Sequence, residues 1–139
     1  KTVNASIIER MYREDLIPII STIGVDEEGQ SLNINADEAA AALAIALGAE
    51  KLIIMSNIPG LLKDVADPES VISELELGDA KRMMSGDEIA QGMIPKLGSC
   101  VNAVESGVRR AHIIDGRQPH SVLMELFTNE GVGTMFYKD

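Results

Sequence analysis

Apolar and polar positions alternate along this chain in blocks that change period several times. Over residues 4–13 Ile7, Ile8 and Met11 recur at helical spacing, and the apolar run LIPIIST (16–22) then has the length of a buried strand. Two extended runs flank DEEG, whose acidic and glycine residues predict a hairpin turn and a strand ending near Asn35. EAAAALAIALG (38–48) is apolar on nearly every face, the pattern of a helix covered on both sides, with Gly48 placed to end it in a left-handed conformation. KLIIMS (51–56) is a continuous apolar run with β-branched residues, as in a central parallel strand, and NIPG breaks it as a turn.

Farther on, DVADPES reads as loop, VISEL as a short strand and ELGDAKRMMSG as a helix ending at Gly86. In PKLGSCVNAVESG, Leu97, Cys100, Val101 and Val104 form one apolar helical face, with Pro95 near its start and Gly107 past its end. RRAHIID predicts another buried strand, PHSVLMELF a helix and GTMFY a terminal strand. Strands alternating with helices imply an α/β fold, a three-layer sandwich with a largely parallel sheet.

Composition narrows the function classes. The 139 residues suffice for one core, and 45% hydrophobic with 24% charged residues is ordinary for a globular chain. A formal charge of −10, with no Lys or Arg run longer than two, argues against nucleic acid as a partner. The longest apolar block, residues 39–47, is far shorter than the roughly 20 residues of a membrane span. One cysteine, Cys100, suits a reducing, cytoplasmic compartment and a place in the core. With only His112 and His120 beside it a dedicated zinc site is not expected. The chain opens on KTVNASIIER, without an initiator Met or a signal peptide, as a processed product or a piece of something longer would.

Three places carry candidate chemistry. Asn33 and Asn35 point to one side of an extended strand, and Asp37 follows in the first turn of the next helix. Capping by Asn35, a capping box through Glu38 and dipole compensation by Asp37 form one reading, which leaves Asn33 unexplained. An anion site at the helix N-terminus is the other. Second, Lys96 in GMIPKLG falls in the first turn of a helix, where a cation opposes the dipole by roughly a few tenths of a kcal/mol. Bound phosphate or a carboxylate such as Asp37 would offset it. Third, MSNIPGLL follows a strand at its carboxyl end, where open α/β sheets take ligands. Gly-x-Gly-x-x-Gly and Walker-type loops do not occur.

Together IPIISTIGVDEEG, NINADEAAAALA, SNIPGLL, GMIPKL, RRAHIIDGR and ELFTNEGVGTM, in this order and spacing, resemble the carboxyl-terminal part of the acetylglutamate kinases, within the amino acid kinase family. The resemblance runs over residues 17–137 and implies an amino acid kinase-like fold. It also implies phosphoryl transfer from ATP, with Mg2+ held through its phosphates, to the side-chain carboxylate of N-acetyl-L-glutamate in arginine biosynthesis. By the same resemblance Lys96 stabilises charge on the transferring phosphoryl group and Asp37 organises the catalytic lysines, while Asn33 and Asn35 meet the substrate. Ser56, Asn57, Gly60, Leu61, Leu62, Glu88, Ile89, Ala90 and Met93 match the nucleotide-binding loops, with Asn57 standing where the family pattern has Asp. Glu125, Gly131 and Gly133 match the segment that holds arginine in feedback-inhibited members.

The family's glycine-rich phosphate loop, second catalytic lysine and substrate-gripping arginine have no counterpart here. The chain is therefore expected to be a fragment, inactive alone, of an enzyme that is a homo-oligomer when intact, and an exposed apolar patch is expected where the missing part belongs. Two alternatives remain open from sequence: an amino acid kinase with another acceptor, and a noncatalytic nucleotide- or arginine-binding module.

Overall fold

The computed structural model describes residues 3–64, 66–86, 89, 91–128 and 131–139. Helix α1 (Ser6–Arg13) leads to a two-stranded antiparallel pair, β1 (Ile23–Val25) and β2 (Ser31–Asn33). The turn between them is tied by Asp26, whose Oδ1 accepts from the N–H groups of Glu28 and Gln30 at 3.0 and 2.8 Å. Gly29 supplies the positive φ of +83° that this turn requires. Helix α2 (Ala36–Ala46) follows at once, and β3 (Lys51–Ser56) comes after Gly48. Then β4 (Glu74–Glu76), α3 (Leu77–Ser85), a short 3-10 turn (Gln91–Met93), α4 (Ile94–Glu105), β5 (Arg110–Asp115), α5 (Ser121–Phe127) and β6 (Thr134–Tyr137) complete the order.

The larger sheet runs β3-β5-β6-β4. β3 with β5 and β4 with β6 are parallel, and β5 with β6 is antiparallel. Side chains alternate across each strand, and this assigns the layers. Ala111 and Ile113 of β5, Leu52 and Ile54 of β3 and Phe136 of β6 share one core with Ala41 and Ala44 of α2, Leu77 and Ala80 of α3, and Leu97, Cys100 and Val104 of α4. His112 faces the other way, where Glu125 of α5 meets it. Helices on both faces of a mostly parallel sheet make the expected three-layer α/β sandwich.

Several local expectations are corrected. The run at 16–22 forms no strand: Ile17 and Ile19 are 89% and 96% exposed. An apolar run becomes a strand only when another strand satisfies its N–H and C=O groups, and among the described residues none pairs with it. With Ile7, Ile23, Val25 and Leu32 it leaves an exposed apolar face over the first part of the chain. β3 is an edge strand of the described sheet rather than a central one. α2 buries only Ala41 and Ala44, so it is covered along one side, not two. Val71 makes an isolated bridge with Leu62, and the neighbouring strand begins three residues later at Glu74.

Candidate active site

Two helix N-termini meet beside the sheet. Asn35 caps α2, its Oδ1 accepting from the N–H groups of Asp37 and Glu38 at 2.9 and 3.2 Å. The expected capping box is not formed among the described residues, and Glu38 is exposed. The N-cap bond holds the first turn so that Asp37 projects toward α4. There Lys96 donates from Nζ to Asp37 Oδ2 at 2.8 Å. The two side chains keep only 26% and 16% of their surface in water.

α2 begins with the acidic pair Asp37 and Glu38, whereas the first turn of α4 has no acidic residue. Lys96 alone would oppose the dipole of α4; the Asp37 carboxylate offsets it and complements both helix ends. One turn deeper, the Cys100 thiol is fully buried. Burial first, then the negative Asp37, push its pKa up to about 12 against the pull of Lys96, which keeps it a neutral core group. Asn33 closes β2 on the exposed surface two residues before the cap.

The turn after β3 is the second part. Ser56 ends the strand, its carbonyl accepting from the Gly116 N–H at 2.7 Å, and Asn57 is exposed. Beside it, at the end of β5, Arg117 holds the Asp115 carboxyl below the usual range by hydrogen bonds to its side chain. Gly60 and Leu61 are buried, and Leu62 joins Val71. Ile89 and Met93 pack against the core, while Glu88 and Ala90 lie outside the described residues. A separate cleft of about 430 Å³ is lined by Leu75, Asp79, Arg82, Met83 and Gly86 and shares no residue with the Asp37–Lys96 pair.

A third cluster lies on the α5 face. Glu125 accepts the Val132 N–H on Oε2 at 2.9 Å, and its Oε1 lies 2.8 Å from His112 Nδ1. Gly131 and Gly133 carry φ of +58° and +87°, which glycine adopts freely. A Cβ on Gly133 would collide with the Ile113 carbonyl. His112 is 1% exposed, and burial lowers its pKa, opposed by Glu125. The resemblance marks Glu125, Gly131 and Gly133 but not His112; a lone histidine inside the apolar strand RAHIID signals a buried partner without saying which.

A mostly parallel sheet with helices on both faces, and with the N-termini of α2 and α4 meeting at the Lys96–Asp37 pair, defines the class as an α/β sandwich. The chain belongs to the amino acid kinase family, whose model matches residues 1–115. It is 45% identical over 136 residues to an acetylglutamate kinase of Methanobrevibacter smithii, covering 98% of this chain and 47% of that protein. To the acetylglutamate kinase of Moorella thermoacetica it is 51% identical over 133 residues, 96% of this chain and 45% of the relative. The chain thus spans less than half the length of these curated relatives. A solved N-acetylglutamate synthase from Neisseria gonorrhoeae, complexed with coenzyme A and L-arginine, matches with a TM-score of 0.89 at 26% identity over 100% of this chain and 32% of that one. The carbamate kinase of Giardia shares the fold, with a TM-score of 0.75 at 18% identity over 96% of this chain and 47% of that one.

Proposed function

We propose that the full-length protein containing this chain transfers the γ-phosphoryl group of ATP to the side-chain carboxylate of N-acetyl-L-glutamate, a step of arginine biosynthesis. The 2.8 Å Lys96–Asp37 contact between two helix N-termini carries this reading. A carboxylate oxygen attacks the γ-phosphorus in line, the bond to the bridging oxygen breaks, and ADP leaves with that electron pair. Lys96 Nζ and the N-terminal dipoles of α2 and α4 stabilise the charge on the transferring group, and Asp37 fixes the direction of Nζ. Asn33 and Asn35 meet the acceptor. The turn at 56–62 receives the nucleotide, with Ile89 and Met93 beside its base. Magnesium, held through the phosphates, supplies further charge neutralisation; among the described residues no group of three or more His, Cys, Asp or Glu is placed to hold a metal ion.

The exposed apolar face at 7–32 supports the view that the 139 residues are a fragment, with the remainder of a cytoplasmic, homo-oligomeric enzyme packed there. A coupled ADP-release assay on the full-length protein tests the reaction. Turnover with ATP and N-acetyl-L-glutamate, and not with carbamate, is expected; turnover with carbamate alone would transfer the reading to another acceptor.

Arginine binding at the Glu125 cluster is a second part of the reading. The Glu125 carboxyl, which His112 and the Val132 N–H hold in one orientation, is the group a guanidinium would meet. The gonococcal structure complexed with L-arginine supports this choice of ligand. Calorimetry of the full-length protein should register arginine binding that Glu125→Gln removes; binding that survives the substitution would place the site elsewhere.

A further inference from the structure

The turn proposed to receive the nucleotide is held from outside itself. Leu61 donates its N–H to Thr134 Oγ1 at 2.8 Å, across 73 residues of sequence, and both residues are buried. The Leu61 carbonyl accepts from the Ile72 N–H at 2.8 Å, so both backbone polar groups of this residue are used by other segments. The contact is close at the backbone as well. A Cβ on Gly60 would lie 2.8 Å from Thr134 Oγ1 and 3.2 Å from the carbonyl carbon of Gly133. Glycine at 60 therefore lets the turn lie flat on the start of β6, and the threonine hydroxyl is the polar group that fixes it there.

We propose that Thr134 is a positioning residue for the nucleotide, acting through its hydrogen bond to Leu61 on the Asn57–Leu62 turn. The inference rests on the proposal that this turn contacts ATP. Thr134 also stands two residues from Val132, which binds Glu125, so one short segment touches the turn and the α5 cluster together.

The test uses the full-length protein with Thr134→Val, which keeps the shape and removes the hydroxyl, Thr134→Ser, which keeps the hydroxyl, and Thr134→Ala as a second hydroxyl-free variant. Leaving the buried Leu61 N–H unpaired should weaken MgATP binding by about ten-fold in the Val and Ala variants. The KM for N-acetyl-L-glutamate and kcat at saturating ATP should stay within about two-fold, since neither the acceptor nor Lys96 is touched. Amide exchange of the peptide containing Leu61 should quicken in the Val and Ala variants, and Thr134→Ser should restore both readouts. Wild-type MgATP affinity in Thr134→Val, alongside weakened affinity in Asn57→Ala, would overturn the positioning role and leave the nucleotide turn in place. Unchanged affinity in both would overturn the turn's assignment and this inference with it. A Thr134→Ser variant as weak as Thr134→Val would also overturn it, because packing rather than the hydroxyl would then be the cause.

Discussion

Asp37→Asn removes one charge and almost no volume. The cap is untouched, because Asn35 bonds the backbone N–H of residue 37 and not its side chain. What is lost is the charge-assisted hydrogen bond to Lys96 at 2.8 Å, between side chains 16% and 26% exposed. Hydrogen bonds to charged groups contribute about 1.5–3 kcal/mol, and the partial exposure argues for the lower half of that range. Loss of a negative charge from the first turn of α2 adds about 0.5 kcal/mol. The expected destabilisation is about 2 kcal/mol, read from urea unfolding of the full-length protein followed by circular dichroism. A cycle with Lys96→Met isolates the pair: the double variant should cost less than the sum of the singles by at least about 1 kcal/mol. Additivity within about 0.3 kcal/mol would refute the reasoning, since the two groups would then not depend on each other for stability.

Asn35→Ala strips the N-cap of both its bonds and should cost about 1 kcal/mol in the same unfolding assay, while Asn35→Asp should be nearly neutral. His112 should make stability fall with acid: burial lowers its pKa, so below the ordinary imidazole value of 6.5 the unfolded chain binds a proton that the native state resists. His112→Gln should flatten this fall below pH 6.5, read as a smaller loss of unfolding free energy on acidification than in the wild type. Gly133→Ala and Gly29→Ala separate strain from space, with φ near +85° at both but a backbone collision only at Gly133. Unfolding midpoints should place Gly29→Ala at about 1 kcal/mol and Gly133→Ala at about 3 kcal/mol or more.

How much of this was legible in the sequence depended on whether a residue's needs were local. The N-cap at Asn35 was readable because the groups it satisfies lie two and three residues ahead. The Lys96–Asp37 contact was half readable: a lysine in a first turn calls for a negative partner, but 59 residues separate the two, and only the packing of α2 on α4 brings Asp37 to it. The helical face of Leu97, Cys100, Val101 and Val104 was readable from its period and is buried throughout. The run at 16–22 misled because apolarity specifies a strand only together with a partner strand. His112 with Glu125, and Thr134 with Leu61, were not readable: each joins different elements, and sheet register and the path of the chain decide which side chains meet.

Lys96→Ala in the full-length enzyme bears most directly on the claim that this pair of helix ends stabilises a transferring phosphoryl group. With the far-ultraviolet circular dichroism of the wild type retained, kcat for ADP release with N-acetyl-L-glutamate should fall by about 10² to 10³, the usual effect of removing one preorganised charge from a transition state. A kcat within about two-fold of wild type would contradict that role and leave Lys96 only as the structural partner of Asp37.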